Sequence, residues 1–499
     1  MKALQLIIAA GIFSGTAFAQ TTEFIEPRNV LKAETPKIST LKVKDITYLI
    51  YDSYTKASMT HTVQLDAYDA NMKFAGTNII NKSDDPAEPG VFEGVFALTN
   101  NVGLFKSSWD KKGGMEIFGY TVDANAKKQP GKKLCGFTAE KMMNTGSFRV
   151  NVSPDGSKIV VLCELPTVKD SLEHTQIYVY DNNFKQLWMK DYRFPNAAGV
   201  AEKYRYNNVY VNNDGIVFDM KQVPVKKAYD YFTVFTFLSN GAKVEERKMD
   251  LGENGHIGTY KADFCTNGDL IFAGYCYPDK KVGVNVETMN NAFFVKVSAA
   301  DGGMPVDKLN AIDPKPSIKA NILLILADNS AILIGENEYV TETGRIGANA
   351  PTTSNVIYDY DYNNTNISNI KFGADGVKKW EHTIERDLKS RNDGGRSLGI
   401  FACMMGDNLM VSYNDYLYRH DGKPHVIVDP IYGSYRTNII AKIGPEGVKL
   451  SESVNMDKRL AGRDAEYSFL PASGTKANET TLYFIAARGL ELVPAKVTL

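Results

Sequence analysis

The stretch "NVSPDGSKIVVLCELP", from Asn151 to Pro166, reads as a strand, a tight turn and a second strand, and the same arrangement returns along the chain. It recurs as "VYVNNDGIVFDMKQVP" from Val209, "DFCTNGDLIFAGYCYP" from Asp263, "LILADNSAILIGENEY" from Leu324 and "FACMMGDNLMVSYNDY" from Phe401. Asn-Gly and Asp-Gly accept the positive backbone φ that two-residue hairpins need, so each stretch is read as a hairpin. A second hairpin follows, marked by "VYDNNFKQLW" from Val179, "LSNGAKVEE" from Leu238, "SAADGGMPV" from Ser298, "FGADGVKKW" from Phe372 and "GPEGVKLSE" from Gly444. The repeating unit is therefore four strands.

Four-stranded sheets with two apolar faces bury both when they are arranged radially, each against its neighbours. Helical periodicity is almost absent, which disfavours helical solenoids and doubly wound folds. The expectation is an all-β fold, a β-propeller of four-stranded blades. First strands begin near Val91, Phe148, Arg205, Tyr260, Ala320, Leu398 and Glu466, farther apart than the roughly 40 to 50 residues of typical propeller repeats. The excess belongs to loops. The strongest turns count seven blades; the second strands, from "ITYLIYDS" at Ile46 to "TLYFIAAR" at Thr481, count eight. The piece from Lys37 to Ile79 lacks a clear first strand, and the piece from Glu466 to Leu499 lacks a fourth. Strand exchange between the termini would complete the ring and seal its edges.

"VSPDGSKIVV", Val152 to Val161, resembles the S-P-D-G-x-x-hydrophobic signature of TolB-like β-propeller repeats, relatives of the WD type. The other repeats keep the Asp or Asn and the Gly but lose Ser-Pro, and the Thr and Trp of a sialidase Asp box are missing. The resemblance implies the fold and a structural role for the Ser153 to Gly156 turn. Trp188 and Trp380 fall in matching fourth strands and are expected to pack between blades.

At the start, "MKALQLIIAAGIFSGTAFAQ" sets Lys2 before an uncharged apolar run and then offers Ala17-Phe18-Ala19, the pattern of a secretory leader over residues 1–19. The run is shorter than the roughly 20 residues that cross a bilayer, and no Cys follows to take a lipid. Residues 20–36 are then an extension and 37–499 a single propeller domain, exported to the periplasm or beyond. With 57 Lys and Arg against 58 Asp and Glu, no charge excess points to nucleic acid or a membrane surface. The five cysteines lack CxxC spacing and sit mostly in apolar strands, as buried free thiols do. Pairing about Asn267-Gly268 sets Leu270, not Cys276, opposite Cys265, against a hairpin disulfide.

Because strands alternate in direction, the tight turns share one face and the long connections the other. The longest second-to-third connection is read as a loop from Thr341 over "TETGRIGANAPTTSNVIYDYDYNN". Long connections on a rigid scaffold are where binding resides, and this rim is rich in the interface anchors Tyr and Arg. The partner-binding candidates are Tyr358, Tyr360, Tyr362, Arg391, Arg396, Arg419, Tyr432, Tyr435 and Arg436, with Arg386 on the same rim. Asp359, Asp361 and Asn363 begin like a calcium loop, but Asn364 replaces its Gly and Ile370 its Glu. His420, with Asp421 and His425, fits a solvated loop as readily as a metal site. No cofactor, metal or catalytic motif is expected. The sequence points to a non-enzymatic propeller binding a protein, or a glycan, through its long-loop face. The alternative is a hydrolase or lyase at the channel mouth, whose acidic and basic side chains would converge near the axis.

Overall fold

The computed structural model describes residues 21–24, 28–29, 37–55, 60–82, 90–110, 113–138, 146–166, 172–195, 204, 206–223, 231–252, 255–278, 288–346, 356–391, 395, 398–416, 419–420, 436–455, 468–488 and 491–499. Their strands form eight antiparallel sheets, blades 1 to 8, with four strands laid side by side in chain order in blades 1 to 7. Blades 1 to 7 span residues 37–82, 91–138, 147–193, 206–249, 256–316, 318–391 and 400–455. Blade 8 takes Ser468–Asn478, Thr481–Arg488 and Glu491–Thr498, and its fourth strand is Thr21–Phe24 from the other end of the chain. Thr22 stands opposite Val497. The ring is thus an eight-bladed β-propeller, closed by the strand Thr21–Phe24, which completes blade 8, the end piece with only three consecutive strands of its own. Among the described residues there is no α-helix, and no helix long and apolar enough to cross a membrane.

Blade 1 differs from the reading of the sequence, because Lys37–Val43 supplies a complete first strand. Its turn into the next strand is Lys44-Asp45, and Lys44 itself takes φ +52°. That turn carries neither Gly nor Asn, so the usual signal is missing.

Gly406-Asp407 of blade 7 is a two-residue turn between the paired Met405 and Asn408, but the turns of blades 3 and 5 are longer. In blade 3 the Ser153 N–H donates to the Lys158 carbonyl at 2.9 Å and the Gly156 N–H to the Ser153 carbonyl at 2.9 Å. Pro154 presets the first corner, Asp155 accepts the Ser157 N–H at 2.9 Å, and Gly156 takes φ +70°. The extra residues shift the register, so that Leu270 lies opposite Phe264, not Cys265; Cys276 lies opposite Ile257. These turns also touch one another around the ring. The Thr99 N–H of blade 2 donates to Gly156 O at 3.2 Å, and the Asn212 amide of blade 4 to Gly268 O of blade 5 at 3.2 Å.

First strands meet around the axis: Asn151 Nδ2 donates to Val209 O at 2.8 Å, and Asn208 Nδ2 to the Tyr260 hydroxyl at 2.9 Å. The apolar core lies between blades. Ile159, Val161 and Cys163 of blade 3 pack on Phe105 and Ile117 of blade 2, and Leu470 and Ile485 of blade 8 on Leu49 and Tyr51 of blade 1. Trp188 packs against Val209 and Phe237 of blade 4, and the Trp380 indole N–H donates to Pro445 O of blade 7 at 2.8 Å. Both tryptophans serve inter-blade packing.

Candidate functional site

The face opposite the tight turns is distinguished by blade 6. Its second, third and fourth strands, Ala331–Ile346, Val356–Phe372 and Lys378–Arg391, run for 16, 17 and 14 residues. The corresponding strands of blade 3 run for 7, 8 and 8. Residues 341–346 and 356–364 of the segment from Thr341 are therefore not loop but the outer part of a β-ribbon, with Thr341 opposite Asp361, Thr343 opposite Asp359 and Arg345 opposite Ile357; residues 347–355 lie outside the described residues. Aromatic residues two apart in "VIYDYDYNN" satisfy the period of a strand, and that alternation is the signal which outweighs the segment's polarity.

Three strands rise together only as far as the fourth one reaches. Asp361 lies opposite Arg391, whose Nε and Nη2 donate to its two carboxylate oxygens at 2.6 and 2.9 Å. The Arg391 guanidinium holds the Asp361 carboxyl below the usual carboxylate range. Arg391 thus fastens the ribbon and is already engaged. Asp359, Asp361 and Asn363 lie along one extended strand, where alternate side chains stand roughly 7 Å apart, not around a loop. The Asn363 amide donates to Asp361 O at 3.0 Å.

Tyr360 stands opposite Glu342, and Tyr362 between Val340 and Ser390. Tyr362 also packs against Leu388, Leu398 and Tyr416, so it props the ribbon on blade 7. Tyr358 lies on the same strand, opposite Gly344. Sequence reasoning missed the partner strand: Tyr339 is 47% and Val340 56% exposed, and Thr341, Glu342 and Thr343 are exposed beside them.

Beneath the ribbon, Arg386 is buried, contrary to its expected place on the rim. Its Nη2 donates to Glu336 Oε1 at 2.5 Å, while Asn364 Nδ2 donates to the same oxygen and Asn321 Nδ2 to Oε2, both at 3.1 Å. A polar row thus crosses all four strands of blade 6. A charge removed from water needs such partners.

Arg419 lies just beyond the second strand of blade 7, its Nε 3.4 Å from Asp415 Oδ2. Next to it, His420 bridges two carboxylates, with Nε2 2.9 Å from Asp415 Oδ2 and Nδ1 against Glu452. Burial works to lower the His420 pKa, but the hydrogen bonds and charges of Asp415 and Glu452 outweigh it and raise it to about 9. The bond from His420, with Lys449 2.7 Å away, draws Glu452 down to about 2. Arg436 opens the third strand, opposite Tyr416. Arg396, Tyr432, Tyr435, Asp421 and His425 lie outside the described residues, as do residues 1–20.

Near the axis, at the long-connection end of the first strands of blades 2 and 3, a second group assembles. Arg149 Nε donates to Glu164 Oε1 at 3.2 Å, the Ser147 hydroxyl donates to Glu164, and the Ser107 hydroxyl donates to Glu93. Burial raises the Glu93 pKa against the opposing pull of Ser107 and Arg149.

No protein-family model and no curated protein matches the chain. Among solved structures it is similar to the β-propeller domain of the Trilobed protease from Pyrococcus furiosus, at 9% identity over 66% of this chain and 94% of that one, TM-score 0.31. It is also similar to the GH93 α-L-arabinofuranosidase of Fusarium graminearum, at 11% identity over 62% and 92%, TM-score 0.36. An acylaminoacyl peptidase matches at 10% identity over 79% of this chain and 59% of the other, TM-score 0.32. Likeness at this level carries no activity to the chain, whose eight-bladed β-propeller fold rests on its own strand order and register.

Proposed function

We propose that this chain is an exported, non-enzymatic β-propeller that binds a protein, or a glycan, through the face bearing its long connections, with the blade 6 ribbon as the first point of contact. The observation that carries this reading is the ribbon itself. Tyr362 rests the ribbon on blade 7, yet the ribbon holds Tyr339 and Val340 out in solvent and is stiffened by the Asp361–Arg391 pair. Apolar surface displayed on a rigid projection is stabilised when a partner covers it. Export rests on the leader pattern of residues 1–19.

The test replaces residues 340–362 by an Asn-Gly turn, which joins the paired residues Tyr339 and Asn363 and leaves a blade of ordinary length. Envelope and extracellular extracts and a glycan panel are then passed over the natural chain, the shortened chain, and a control altered at Asn182 and Asn183 on the tight-turn face. A ligand held by the natural chain and the control, and lost by the shortened one, is the expected result. Retention by the shortened chain would place binding elsewhere.

One observation favours the rival reading of a hydrolase or lyase at the channel mouth. Glu93, with its proton affinity raised by burial, stands near the Arg149–Glu164 pair, an asymmetry of the kind acid–base catalysis uses. Turnover of a peptide or glycoside panel that disappears in Glu93→Gln would establish it; equal activity in both proteins would remove it.

A further inference from the structure

Cys135 lies in the outermost strand of blade 2, Lys132–Thr138, and Cys163 in the second strand of blade 3, Lys158–Glu164. Their sulfurs face each other across the blade interface at 3.1 Å, and both residues are buried. Unbonded carbon atoms pack at roughly 3.5–4.0 Å and sulfur is larger, so the two thiols are closer than ordinary packing brings such atoms. A disulfide needs only about 2.05 Å between its sulfurs, a small further approach. Cys265, Cys276 and Cys403 lie in three other blade interfaces. Among the described residues this is the one pair of cysteine sulfurs within hydrogen-bonding distance.

We propose that Cys135 and Cys163 are joined by a disulfide that staples blade 2 to blade 3 when the chain folds under thiol-oxidising conditions. Its occurrence in the cell rests on the export proposed above, since such conditions prevail outside the cytoplasm. The co-reactant is a disulfide, either of a small thiol or of an oxidant protein. One cysteine thiolate attacks it, forms a mixed disulfide and releases one thiol; the other thiolate attacks the bound protein sulfur and releases the second. Two protein thiols lose two electrons, the co-reactant disulfide gains them, and the two protons end on the released thiols.

The surroundings decide when this happens. The pair is walled by Ile117, Phe148, Ile159 and Val161, and the Tyr180 hydroxyl donates to Leu134 O at 2.9 Å beside it. Burial pushes the Cys163 thiol well above its ordinary range. The thiols therefore react before the interface closes, and in the folded ring neither oxidant nor reductant reaches them. The bond spans 28 positions of sequence, so it restrains the unfolded chain and leaves the packed interface in place.

The test unfolds and reduces the chain, refolds it in a mixture of oxidised and reduced glutathione, and then denatures and alkylates it without reductant. Expected are alkyl groups on Cys265, Cys276 and Cys403 alone, a linked Cys135–Cys163 peptide, and a mass lower by two hydrogens than that of the thiol form. The thermal midpoint should stand about 3 to 4 °C above that of the reduced protein. Cys163→Ser should leave all four remaining cysteines alkylated, and Cys276→Ser should keep the bridge. Five alkylated cysteines, or a bridge to any other partner, would overturn the inference. Leader removal, read from the mass of the chain made in cells, reports export separately. A retained leader with the bridge formed in glutathione defeats only the export reading; a removed leader with five free thiols after refolding defeats only the staple.

Discussion

Arg386 reaches from the outermost strand of blade 6 to Glu336 on its second strand, and neither side chain is exposed. The pair anchors the base of the ribbon, because Asn364, where the ribbon leaves the blade, donates to the same carboxylate. Arg386→Leu should destabilise the fold by about 3–5 kcal/mol, the cost of leaving a buried charge alone. Arg386→Leu with Glu336→Leu should lie closer to the natural protein than the single change does. Denaturant unfolding of the three proteins checks both statements.

His420 makes stability depend on alkaline pH. Its folded pKa, about 9, exceeds the unfolded value of roughly 6.5, so the native state holds a proton that the unfolded chain releases. The contribution is complete below about pH 6.5 and is lost as pH rises through about 9. Glu452 acts at the other end: lowered from 4.5 to about 2, it contributes above pH 4.5 and fades as pH falls toward 2. Unfolding midpoints from pH 6 to 10 should show His420→Gln losing about 2 kcal/mol at neutral pH, with little difference left at the alkaline end.

A Cβ on Gly156 would stand 2.5 Å from the Leu98 carbonyl carbon and the Thr99 nitrogen, both backbone atoms of the neighbouring turn. Gly252 has a similar φ, +76°, with nothing near it. Both Gly→Ala changes pay for backbone strain of about 1 kcal/mol or more. Gly156→Ala should cost at least about 2 kcal/mol beyond Gly252→Ala, because two blades must separate. Their thermal midpoints give the comparison.

Removal of Glu491–Leu499 should disrupt the whole ring. Leu492, Val493, Ala495 and Val497 are buried, and burying each larger apolar side chain is worth roughly 1.5–3 kcal/mol. The loss also unpairs Thr21–Phe24. A drop of at least about 5 kcal/mol in unfolding free energy is expected, against a smaller one when only Thr21–Phe24 is removed. An unchanged midpoint would mean that closure contributes nothing.

What the sequence made legible was whatever is local. The Ser153 to Gly156 turn announces itself because its φ and its Asp155 bonds depend on neighbouring residues only, and the alternating strands on either side follow from period two. Lys44-Asp45 has no Gly, so the first strand of blade 1 carries no comparable local signal. The outer ribbon reads as a loop in the sequence because its polar length hides its alternation. Arg386 looked like a rim residue because nothing near it in sequence points to Glu336, 50 positions away. Cys135 and Cys163 likewise meet only through the packing of two blades.

The pairing of Thr21–Phe24 with Glu491–Thr498 also sets a clock. A chain that emerges from its amino end delivers the first of these strands before blades 1 to 7 and the second after them. Until then the earlier blades can assemble only as an open fan, with the first strand waiting for its partner. Closure of the ring therefore waits on Glu491–Thr498, and a product that ends before this strand keeps two bare edges by which it can be recognised and removed.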